Sequence, residues 1–168
     1  MSLGKLNKRM GSNAERYYTE VFKGLGFTSC ATSREVSKKH DNAKIDLVNM
    51  PFNLQIKAGK QTSMSAGKEL FLMESCIKTM FSLDDEVFKK PLLLVHYRSV
   101  EEEGYNRLPE HERVYMSFKQ FLKFQEISPN LEYDSIKEFK FDLDSEFKII
   151  VSMTFEVFKN EIILKHYI

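Results

Sequence analysis

No uncharged apolar run of bilayer-spanning length occurs in the 168 residues, so the ~20-residue signature of a transmembrane helix is missing. The polar N-terminus is unlike a secretory signal, and the expectation is a cytoplasmic chain with no membrane partner. Cysteine is scarce. Cys30 and Cys76, with no CxxC and no paired histidine, suit buried free thiols in a reducing compartment rather than a disulfide. The four histidines, His40, His96, His111 and His166, show neither HxxH nor HExxH spacing, which argues against zinc hydrolase chemistry. His96 sits in an apolar run and reads as a core histidine. Cys30 falls on an expected strand, with nothing to make it a nucleophile. GxSxG, Walker and GxGxxG loops are missing, as are internal repeats and low-complexity tracts.

What is present suits one α/β domain, residues 1–168, with a hydrophobic fraction of 42% and a charged fraction of 29%. The net charge of +1 hides a split: twelve basic against five acidic residues up to position 68, then thirteen against nineteen. A basic first part suits a polyanionic ligand, or is an asymmetry without functional meaning.

The most informative stretch is residues 44–60, KIDLVNMPFNLQIKAGK. Apolar and polar residues alternate with period two on both sides of Met50 and Pro51, which predicts two short paired strands. Ile45 and Leu47 are expected on one face, with Lys44 and Asp46 on the other. On the second strand Leu54 and Ile56 oppose Asn53, Gln55 and Lys57. A connection symmetric about Met50 and Pro51 sets Asp46 across from Gln55, ~5 Å apart at Cβ, with Lys57 ~7 Å further along.

Around this ribbon the periodicity predicts a helix over 12–25, where Ala14, Tyr17, Tyr18, Val21, Phe22 and Leu25 make one stripe and Gly24 and Gly26 stop it. Ser12 followed by Glu15 has the spacing of a capping box. A strand is expected over 27–34. The polar loop 37–42 follows, where Arg34, Lys38, Lys39 and His40 either hold phosphates or form a solvated surface. After the donor-rich connection 58–63, which contains Lys60, a helix is expected over 65–81 with Leu70, Met73, Ile77 and Phe81 buried. Ser65 is its N-cap, or its free N–H groups take a phosphate. Its methionines read as core filling.

The apolar run 92–97 predicts a strand buried on both faces. An acidic polar loop over 99–112 precedes a short strand at 114–116 and a helix capped by Ser117 and ended by Ser128, Pro129 and Asn130. From Phe139 the period becomes two, up to Val157. A turn at Lys159 and Asn160 is then expected to lead into a last strand over 162–168.

The triplet Gln55, Ile56, Lys57 behind Asp46 resembles the PD-(D/E)XK nuclease superfamily, whose signature is an acid on one strand and an acid-x-Lys triplet on the next; here glutamine stands at the acid's position. The segment GSNAER, a GF-containing turn and a strand ending in Arg34 resemble the opening of archaeal Holliday-junction resolvases. The resemblance implies a restriction-endonuclease-like αβββαβ core over about 10–98, a mixed sheet flanked by helices, and a C-terminal β-rich extension over about 113–168. It implies a metal-dependent DNA endonuclease using Mg²⁺, with Mn²⁺ able to substitute. Asp46, Gln55 and Glu15 would be metal ligands, Lys57 catalytic, and Arg34, Lys38, Lys39 and Lys60 would contact DNA, with a branched substrate and a homodimer expected. Glu15 has a simpler role open to it, as the helix-capping partner. Two other readings stay open: a nuclease-derived DNA-binding module that no longer cuts, and an unrelated α/β interaction protein.

Overall fold

The computed structural model describes residues 3–59, 63–97, 112–140 and 145–168. The first helix, α1, spans Leu3–Gly24. It starts well before Ser12 because the basic lead contains good helix formers and no breaker but Gly4 and Gly11. Its stripe is buried as expected: Ala14 and Tyr18 at 0% exposure and Phe22 at 1%. The stop is a Schellman motif. Gly26, at φ 113, follows the last turn, its N–H donates to Lys23 O, and Phe27 N–H donates to Phe22 O. Phe27 then packs edge-on against Phe22.

The strand expected over 27–34 shrinks to β1, Ala31–Thr32, because residue 33 already begins a helical turn, α2, Ser33–Val36. The loop 37–42 is also helical: α3, Lys38–Asn42, is capped by the Ser37 side chain accepting from His40 N–H. The ribbon strands are β2, Leu47–Val48, and β3, Asn53–Ala58. Next come α4, Ser63–Met80, and β4, Leu92–Tyr97. The rest comprises β5 (Arg113–Ser117), α5 (Phe118–Ile127), β6 (Ser135–Glu138) and β7 (Ile149–Thr154).

Seven strands form one sheet in the order β1-β2-β3-β4-β5-β7-β6. Only β3 and β4 run parallel, as their connection through α4 requires. The other neighbours are antiparallel, so the C-terminal strands extend the sheet. The class is α/β with a mixed open sheet between helical layers.

Alternation along the central strands feeds two cores. Leu54, Ile56, Leu93, Val95, Val114, Met116, Val151 and Met153 face α1 and α5. Leu94, Tyr115 and Ile150 face α4 through Ala66, Leu70, Met73 and Ile77. Ile45 corrects the ribbon reading. It joins the α4 core while Leu47 joins the other, so the alternation does not run through Asp46, whose N–H bonds Leu54 O beside the Leu47–Leu54 pair.

The chain end is the larger correction. In place of a strand over 162–168 there is helix: α6, Phe155–Phe158, a π turn, Lys159–Ile163, and α7, Leu164–His166. Thr154 caps it by accepting from Val157 N–H. Phe155, Phe158, Ile162 and Ile163 recur at helical spacing and fill the α1 core. Of the expected period-two run, Phe141 and Leu143 lie outside the described residues, as do most of the acidic loop and His111. Both cysteines are free, and burial pushes the Cys30 thiol up to about 11, away from reactivity. Among the described residues no helix is long and apolar enough to cross a membrane.

Candidate metal and phosphate cleft

Leu47 pairs with Leu54, and the residue before it, Asp46, meets β3 at Leu54 and Ile56 rather than in a ladder pair with Gln55 as the alternation predicted. Asp46 precedes the ladder. Its N–H donates to Leu54 O at 2.8 Å, while its Oδ2 accepts from Ile56 N–H at 2.7 Å. The carboxylate is thereby clamped against the free edge of β3, where that strand outruns the two-residue β2. On the α4 side of β3 stand Gln55, 4% exposed, and Lys57 two residues on. Their register partners on β4 are Leu94 and His96, and His96 Nε2 is hydrogen-bonded to Gly59 O, which ties the strand ends together.

α1 delivers Glu15 to the same place. The capping role is overturned, because Ser12 and Glu15 lie in mid-helix. Both are instead gathered by Arg34, whose Nη2 donates to Glu15 Oε1 at 2.8 Å and whose Nη1 donates to Ser12 Oγ at 3.2 Å. Asp41 lies 3.6 Å from the Arg34 Nε. Burial and then the neighbouring Asp46 charge push the Glu15 carboxyl up to about 7, with Arg34 pulling the other way. Asp46 is raised to about 6, chiefly by burial, against the Ile56 N–H bond and the Lys57 charge.

Glu15, Arg34, Asp46, Gln55 and Lys57 line one cleft of about 1010 Å³. Two cations the sequence did not single out, Lys8 and Lys44, line it as well. Lys8 belongs to the part of α1 that precedes Ser12, so the missed helical turns hid it. Of the basic residues expected on DNA, Arg34 borders the cleft but is engaged by Glu15 and Asp41. Lys38 and Lys39 do not line it, and Lys39 sits over the Phe81 ring at 4.3 Å. Lys60 lies outside the described residues. His40 faces inward, bonded to Ser37 Oγ and edge-on to Phe81, and burial lowers its pKa.

One more acid was missed. Glu69 of α4 accepts from Gln55 Nε2 at 3.3 Å, and the same oxygen is ion-paired with Lys57 Nζ at 3.2 Å. Periodicity marks Leu70 as core and leaves Glu69 on the helix flank; only the β3–α4–β4 crossover lays that flank over Lys57.

Among the described residues no three His, Cys, Asp or Glu side chains are grouped to hold a metal ion. The carboxylates on the cleft wall are Glu15, Asp41 and Asp46, and the amides are Asn42 and Gln55. The Gln55 Oε1 is buried and accepts no hydrogen bond from any described residue. An acceptor in that state costs ~1–3 kcal/mol unless something pairs with it. Two raised carboxyls and an unpaired carbonyl are hard oxygen donors of the kind Mg²⁺ takes. No protein-family model, curated protein or solved structure matches this chain.

Proposed function

We propose that the chain is a metal-dependent DNA endonuclease of the PD-(D/E)XK, restriction-endonuclease-like kind. The observation that carries the proposal is the convergence of Glu15, Asp46, Gln55 and Lys57 on one cleft, with Asp46 bonded to the Ile56 N–H between Gln55 and Lys57. The order of α1, β1, β2, β3, α4 and β4, with the short helices α2 and α3 inserted between β1 and β2, supports it further. Glu15, Asp46 and the Gln55 carbonyl would hold Mg²⁺ or Mn²⁺. When bound, the ion supplies Lewis-acid polarisation of a phosphate and lowers the pKa of water.

The chain's own groups do the rest. The backbone bond from Ile56 holds Asp46 in one orientation, so no rotamer search precedes ligation. Lys57 puts a fixed cation beside the phosphate on which negative charge develops. Lys8 and Lys44 on the cleft wall are placed to meet backbone phosphates without reading sequence. Branched DNA and a homodimer belong to the proposal through the family resemblance alone.

A second reading, a nuclease-fold DNA-binding module that no longer cuts, is favoured by the neutral Gln55 and by the Lys57 ammonium being paired with Glu69. One assay separates the two. Labelled branched and linear DNA are incubated with the protein and Mn²⁺, with Asp46→Ala and Lys57→Ala as controls. Cleavage that needs the ion and disappears in both variants is expected. Salt-sensitive binding without cleavage in excess Mn²⁺ would leave the binding module standing, and neither binding nor cleavage would leave an α/β interaction protein.

A further inference from the structure

We infer that Glu69 is a positioning residue for this site, acting through Gln55 and Lys57; the inference rests on the cleft being the metal site proposed above. A carboxylate only accepts hydrogen bonds, so the end of the Gln55 amide that faces it is the NH₂. The carbonyl oxygen is thereby turned away from Glu69, and this is the buried atom that receives no hydrogen bond from the described residues. A half-turn of the amide would press two acceptors together and bury two N–H groups against nothing. Glu69 thus fixes the polarity of a side chain whose two ends are nearly the same shape.

The same Oε2 receives the Lys57 ammonium, so both members of the strand triplet are tied to α4 at one point. The anchor is firm, because Ala66 and Leu70 on either side of Glu69 are fully buried. Glu69 does not join Glu15 and Asp46 as a third acidic ligand, since the described residues contain no such group. It acts one shell out, orienting the group that would ligate. The negative charge that an acid-x-Lys triplet carries on the strand is here carried by the facing helix. An acid at position 55 alone would set two carboxylates against each other.

The test is a four-protein cycle of wild type, Gln55→Glu, Glu69→Gln and the paired exchange, with Glu69→Ala beside it. Mn²⁺ alone is titrated calorimetrically, without DNA. Glu69→Ala should weaken Mn²⁺ affinity ~10-fold or more and shift the Gln55 side-chain NH₂ resonances of the metal-free protein. Gln55→Glu alone should lower the thermal midpoint, and the paired exchange should recover both midpoint and affinity. Rescue by the exchange is the result that a merely structural role would not give. Unchanged Mn²⁺ affinity and Gln55 resonances in Glu69→Ala overturn the positioning role and leave the nuclease reading intact. A wild type that binds no Mn²⁺ and cuts no DNA overturns the reading of the site itself.

Discussion

From α1 to β4 the buried polar side chains include Glu15, Asn53, Gln55 and His96; from β5 to α7 the described ones are serines, preceded by Glu112, a buried carboxylate that accepts from Tyr17 and Tyr18. Those serines are satisfied. Ser117 caps α5, Ser128 donates to Glu161, and Ser152 accepts from Arg113. Both buried side-chain atoms that lack a partner among the described residues, Ser33 Oγ and Gln55 Oε1, lie in the first region. So do the two non-glycine residues at positive φ among the described residues, Lys44 and Asn49, which bracket β2. The first region gives up local stability where the cleft is built, and the second supplies packing that tolerates the loss.

That contrast is broken most forcefully from the packing side. Phe158 is 1% exposed, and its ring lies 5.7 Å from that of Phe52 and 5.5 Å from that of Phe124. Phe158→Ala should cost ~3–5 kcal/mol by urea denaturation, the range for a large aromatic lost from a closed core. Mn²⁺ affinity per folded molecule should not change. A loss below ~1 kcal/mol would mean that the C-terminal helices are not the support described.

Next in size is the cost of the cleft's own charges. Glu15 titrates at about 7 in the folded chain against an ordinary 4.5, and Asp46 at about 6 against 3.8. Folded protein therefore holds more protons than unfolded protein across those windows, and stability falls as pH rises from about 4 to 7. Glu15→Gln keeps an oxygen for Arg34 but removes one titration. The metal-free variant should gain on wild type between pH 5 and pH 8, by on the order of 2–3 kcal/mol. Urea midpoints at the two pH values decide it. Parallel profiles would show that the pair is not strained, whereas Mg²⁺ narrowing the gap at pH 8 would tie the strain to ion binding.

How much of this was legible follows the same division. Residues 47–54 carried their own register, since a connection centred on Met50 and Pro51 sets Leu47 opposite Leu54, whereas Asp46 leaves it by bonding its N–H to Leu54 O. The α1 stripe, the β4 strand and the Ser117 cap were equally local signals. The last helix was not. Phe155 and Val157 continue the period of two from Phe147 while Phe155, Phe158 and Ile162 recur at helical spacing, and the cap at Thr154 and burial of Phe158 against Phe52 decide between them. Arg34 gathering Glu15 and Ser12, and Glu69 over Lys57, depend on elements meeting across the fold, which periodicity does not encode. Nor does alternation foresee the break at Asp46 that leaves Ile45 and Leu47 in different cores, or the positive φ of Lys44 just before it.

That residue, Lys44, gives the smallest and sharpest test. A side chain held at φ 65 costs ~1 kcal/mol, and glycine removes the clash while adding unfolded-state entropy. Lys44→Gly should therefore stabilise by only about 0.5 kcal/mol in thermal unfolding. Asn49→Gly, at φ 60, also gives up the bond from Asn49 Nδ2 to Ser29 O and should come out near neutral. Lys44 lines the cleft as well, so its loss should weaken DNA binding and flatten the salt dependence by ~1 in log–log slope. Greater stability joined to weaker binding would place the strain and the ligand at one residue. Stability gained with binding untouched would mean that the strained backbone before β2 and the ligand are unconnected.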